Sequence, residues 1–202
     1  MVLPNTLTVK PRVGPMRADA RKKRDQIITA ALQQIQTRPN SEITLEGIAA
    51  DAGVGIATLY RHFPSRASLY DACAVVYIDN LQTLLNDTLA DFHRDPQGSF
   101  ERFVWAIVDS GVGMLATALA AEPSADGPRI IVERRETFMH NVQLLIDEAV
   151  PHNSVAPGQT ALQLATELIV ATRPLASPLA DLLPDVRDRL VRHLMAGWRA
   201  NV

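Results

Sequence analysis

The chain has 202 residues, 47% of them hydrophobic, enough for one large domain or two small ones sharing a core, so global disorder is excluded. A single cysteine, Cys73, excludes an internal disulfide framework and any multi-cysteine zinc site, and it suits a reducing compartment. The formal charge of −2 conceals a division: residues 1–70 carry ten Lys/Arg and five Asp/Glu (+5), residues 71–202 ten and seventeen (−7). A basic amino-terminal third on an acidic body points to a polyanion partner for that third alone.

Residues 1–16 hold three prolines and a glycine without periodicity, and read as a flexible basic arm with no secretory signal. From Arg17 the pattern is helical. Ile28, Ala31, Leu32 and Ile35 recur at steps of three and four, and the helix should stop before Pro39. Thr44 is placed to cap a short helix striped by Leu45, Ile48, Ala49 and Ala52, with Gly53 as its left-handed stop. A second short helix fits Ile56 to His62, and Ser65 opens a long one lined by Leu69, Cys73, Leu81 and Leu85.

Asp95-Pro96 is a cap followed by a first-turn proline. It opens a segment, Phe103 to Ala121, with one charge. Asp109, Ser110 and two glycines near its middle argue for a bent, buried helix rather than a membrane span. Further helices are expected over 128–150 and 160–172, and a last one carries Val186, Leu190, Leu194 and Trp198 at steps of four. No alternating strand pattern appears. The chain reads as all-α with about nine helices.

Two short helices joined by a tight glycine turn form a helix-turn-helix, whose second helix enters the major groove of DNA. Small Ala49 and Ala52 let the helices cross closely, while Val54 and Leu59 face the local core. Gly55 keeps the start of the second helix slim toward phosphate. Ile56, Ala57, Thr58, Tyr60, Arg61 and His62 are then the exposed set, suited to methyl, hydrogen-bond and phosphate contacts. Tyr60 lies one residue past Leu59, on another face, which favours DNA contact over a core role. His62 has no partner at zinc-ligand spacing. The basic cluster Arg21–Arg24 on the supporting helix suits phosphate contact as well as a solvated face.

The run ITLEGIAADAGVGIATLYRHFPSRASLY resembles the amino-terminal signature of TetR-family transcriptional regulators. It supplies Thr44, Ile48-Ala49, Ala52-Gly53-Val54, Thr58-Leu59-Tyr60, His62-Phe63 and Leu69. Arg66 stands where that pattern has a phosphate-binding lysine, and Gly47 where an acidic residue would complete a capping box with Thr44. The resemblance implies a DNA-binding domain over 17–65, with Thr44 and Arg66 joining the residues above as DNA contacts. It implies an effector-binding and dimerising body over 66–202 and a homodimer formed through the last two helices. It further implies operator DNA and a small-molecule effector as partners, release of a repressor by that effector, and a bacterial, cytoplasmic, nucleoid-associated location.

In the body, Asp109 in its nearly uncharged segment reads either as a residue at a bend facing water or as the polar anchor of an effector pocket. Trp105 and Met114 would be that pocket's walls. No catalytic constellation, metal site or cofactor loop presents itself. The competing reading is a helical small-molecule-binding protein of the same fold that does not bind DNA.

Overall fold

The computed structural model describes residues 15–121, 129–175 and 182–200, so the arm and the 122–128 link lie almost wholly outside the described residues. Among the described residues there is no strand, and nine α-helices follow in chain order. These are α1 (Pro15–Thr37), α2 (Leu45–Asp51), α3 (Ile56–His62), α4 (Arg66–Asp91), α5 (Pro96–Asp109), α6 (Val112–Ala121), α7 (Arg129–Ala149), α8 (Ala161–Ala171) and α9 (Val186–Ala200).

The starts are set by side chains that take up the unpaired first amides of a helix. The Thr44 hydroxyl accepts from the Gly47 amide, Asp95 from Gly98 and Thr160 from Gln163. Ser65 and Ser68 cap α4 reciprocally. At the end of α2 the Gly53 amide bonds the Ala50 carbonyl and the Val54 amide bonds that of Ala49, with Gly53 at φ 65°. This Schellman turn sets the angle between α2 and α3, and it needs a residue without a Cβ penalty at Gly53.

Helices α1, α2 and α3 close on Ile27, Ala31, Ile35, Ile48 and Leu59. The first two turns of α4 add Leu69, Tyr70 and Cys73, and its remainder packs on α7. Burial pushes the Cys73 thiol up to about 12, so it is an unreactive core group. Helix α5 packs on α4 and α7, α6 packs on α1 and α8, and α8 lies against α7 and α9.

The apolar segment from Phe103 is broken where expected. Helices α5 and α6 meet at a 46° bend, and no single described helix is long and apolar enough to cross a membrane. The stop comes at Ser110 and Gly111, the latter at φ 78°. Gly113 lies inside α6, where a Cβ would fall 2.3 Å from the Thr172 carbonyl oxygen of α8. The glycine therefore sets how closely α6 and α8 cross.

The expected stripe of α9 is corrected. Its buried face is Val191, Met195 and Trp198, with Leu194 packed against the core and Leu190 exposed. The 151–159 loop is also less peripheral than its composition suggests. Ser154, Val155 and Ala156 are buried, and the Ala156 amide bonds the Trp198 carbonyl at 2.7 Å.

Candidate nucleic-acid interface

Seven residues make α3, and only Leu59 is fully buried. Ala57, Tyr60 and Arg61 are exposed, and Tyr60 retains 46% of its surface. Arg61 donates through Nη2 to the Thr58 hydroxyl at 2.8 Å, which lays the guanidinium along the helix at its basic end. Thr58 and His62 are half-buried at the edges of this face. Thr44 is exposed at the neighbouring start of α2, and Gly55, also exposed, is the N-cap of α3 without a side chain.

Two expected contacts take other places. Ile56 is half-buried and packs against the core, so its methyls support α3 instead of facing outward. Arg66 is turned inward: Nη1 donates to the Ile43 carbonyl at 2.8 Å. Nη2 lies 3.1 Å from the Asn40 carbonyl, 2.9 Å from Asn40 Oδ1 and 2.8 Å from the Tyr70 hydroxyl. The Tyr70 hydroxyl in turn donates to Asn40 Oδ1 at 2.9 Å. A planar fork suits this cluster of acceptors, which a point-like ammonium could not match. Arg66 braces the α1–α2 link against α4.

The basic cluster on α1 is divided. Lys23 pairs with Asp19 at 3.0 Å. Arg24 lies over the Phe63 ring at 5.2 Å, which brings its charge beside the end of α3. Arg21 and Lys22 line an open groove between α1 and α2, together with Asp25 and Asp51. The Gln34 amide donates to Asp51 Oδ2 at 2.7 Å across the same helix pair.

The family model for bacterial regulatory proteins, tetR family, matches residues 27–73, the segment whose helices have just been described. A TetR transcriptional regulator of Streptomyces coelicolor superposes over 87% of this chain and 98% of its own, at 25% identity and a TM-score of 0.61. The amino-terminal domain is of the TetR family. A second TetR-family structure, from Mycobacterium vanbaalenii, covers 92% of this chain and 99% of its own at 22% identity and a TM-score of 0.59, which bears on the fold. Among curated proteins the similarity is to nucleoid occlusion factor SlmA: 37% identity over 71 residues in Idiomarina loihiensis and 35% over 69 in Shewanella amazonensis. These matches take in 36% and 35% of SlmA, so the chain spans about a third of the length of the curated relatives it matches.

The enclosed apolar cavity of the body does not lie at Asp109. Asp109 is the last residue of α5 and its side chain is 67% exposed, 3.8 Å from Arg187. Trp105 is half-buried beneath the Arg192 guanidinium, 5.7 Å from the ring centroid, and shares a surface groove with Asp109. Met114, also half-buried, lines neither space. The enclosed apolar cavity, about 70 Å³, is walled by Phe100, Phe103, Phe138, Leu164, Leu168 and Trp198. The Trp198 indole N–H donates to Glu167 at 2.5 Å, which fixes the ring as one wall. A cluster of phenylalanines at helical spacing was the only signal for this cavity in the sequence, and it reads equally as core.

Proposed function

We propose that the chain is a dimeric DNA-binding regulator whose α3 reads the major groove and whose body responds to a small apolar effector. The observation that carries the reading is the outer face of α3, where Ala57, Tyr60 and Arg61 stand clear of the core beside Arg24 on a basic end of the molecule. Protein–DNA affinity comes largely from neutralised phosphates, so it falls with salt in proportion to the contacts made. On DNA from upstream of the chain's own gene, Arg61→Ala is expected to lower the slope of log affinity against log salt by about 0.9. Tyr60→Phe is expected to weaken all sequences alike, roughly fivefold, through one lost hydrogen bond. Fluorescence anisotropy across a salt series measures both, and a chain that binds this DNA no better than random duplex overturns the reading.

The effector site is the apolar cavity. Its walls offer almost no polar partner, because the one indole N–H is turned to Glu167. A compact uncharged molecule, aromatic or aliphatic, fits that lining, and an anchoring charge at Asp109 has no part in it. Release from operator DNA then follows if the effector favours a spacing of the two reader helices that no longer suits DNA.

Assembly rests on the outer face of α8 and its neighbour. Leu162, Val170 and Leu190 stay 70%, 59% and 42% exposed, which a lone helical body leaves unburied. These faces meet their copies across a two-fold axis in the dimer. Leu194 points inward, so the informative change is Leu162→Glu. It is expected to give folded monomers in sedimentation velocity with weakened DNA binding. A wild-type chain that sediments as a monomer at micromolar concentration sinks the assignment.

A further inference from the structure

We infer that the elbow Ser110–Gly113 transmits changes in the apolar cavity to the DNA-reading end through Gln36 of α1. The inference rests on the effector reading above and adds the route. Four consecutive residues of the elbow touch three parts of the molecule. The Ser110 carbonyl, at the open end of α5, accepts from Gln36 Nε2 at 3.0 Å. Gly111 lies so close beneath α1 that a Cβ there would meet Gln36 Cγ at 3.1 Å and its Cα at 3.6 Å. Val112 lines the cavity, and so does Ile107 one turn earlier. Gly113 sits against Thr172 at the end of α8.

The Ser110 side chain ties this elbow to α4 as well. Its hydroxyl donates to the Ile107 carbonyl at 2.6 Å and so is left to accept from the Tyr77 hydroxyl, also at 2.6 Å. Burial raises the Tyr77 phenol to about 12, so its proton is retained. The elbow is the yielding wall. Here the chain lining the cavity turns by 46° through a glycine at φ 78°. Sharp bends of helical chain fall at such Gly/Ser pairs, so this is where the wall can hinge. Outward displacement of Val112 therefore moves the Ser110 carbonyl, and Gln36 moves with it. Gln36 belongs to the last turn of α1, beside Ile35, whose side chain is in the core that seats α2 and α3.

The test drives the elbow without an identified effector. Ala165→Leu adds three carbons to the cavity from α8, and Ala165→Val is the milder form should the first not fold. Amide hydrogen exchange of residues 31–37 is followed in the free protein, where DNA plays no part. Filling the cavity is expected to change that exchange roughly fivefold or more, within the usual range of coupling between sites. The same filling in a Gln36→Ala background is expected to leave the segment unmoved. An unchanged segment in the folded, filled protein, or an equal response without Gln36, overturns the inference. Failure to bind DNA with the exchange response intact overturns the proposed function and leaves the route standing.

Discussion

Gly113→Ala is expected to be the most damaging addition of a single methyl group in the body. The new Cβ would lie 2.3 Å from the Thr172 carbonyl oxygen, 2.4 Å from its carbon and 2.5 Å from its hydroxyl. Two of those atoms are backbone at the C-cap of α8, and the hydroxyl is already held by the Leu168 carbonyl at 2.6 Å. No side chain can swing away, so α6 and α8 must separate. Overpacking of this kind costs about 3 kcal/mol or more. In a chain of this length that lowers the melting temperature by roughly 6–12 °C. Gly47→Ala is the contrast: its Cβ would meet only the Thr44 hydroxyl at 3.1 Å and the Gln34 amide at 3.5 Å, both side chains. It is expected to change stability by about 0.5 kcal/mol or less, since Ala also favours the helix. Parallel thermal melts decide; equal damage from both changes would remove the close crossing as the reason for Gly113.

Arg66→Ala should show the second large effect, in stability rather than in direct DNA contact. Its removal takes the guanidinium donor from the Ile43 carbonyl and one bond each from the Asn40 carbonyl and the Tyr70 hydroxyl. Buried acceptors left by a charged donor cost about 3 kcal/mol together. Arg66→Lys keeps the charge but not the fork, so it should recover only part of that loss. The salt dependence separates the two roles of this residue. A phosphate contact would take about 0.9 from the slope when lost. A brace leaves the slope unchanged while DNA affinity falls with the fraction of folded protein. A slope lowered by the full amount in Arg66→Ala would restore the phosphate role.

The helices of this chain were legible because their ends are chemically marked. Thr44, Ser65, Asp95 and Thr160 are local signals, and each acts within three residues of itself. Gly53 is equally local. The errors arose where a distant neighbour decides. Nothing near Arg66 in sequence announces Asn40 or Ile43, which lie 26 and 23 residues away. Of the two readings of Asp109, the residue at a bend facing water is the one found, because α5 ends on it and its side chain is exposed. The pocket anchor needed a neighbour that the sequence does not mark. The α9 stripe failed for a geometric reason. Each four-residue step overshoots a helical turn by about 40°, so Val186 and Trp198 differ by roughly 120° around the axis. Such a stripe winds off the face it starts on.

The α4 helix has one further consequence, for the way this protein comes apart. Its opening turns complete the cluster around Leu59, and its later turns supply Tyr77, Leu81 and Leu85 to the cluster around Phe103 and Leu145. Among the described residues the two belong to one continuous apolar cluster. A helix that serves both ends cannot melt at one and stay folded at the other, so loss of order spreads along it. The amino-terminal end thus has little stability of its own and borrows that of the body, and heat should dismantle the chain in one cooperative step.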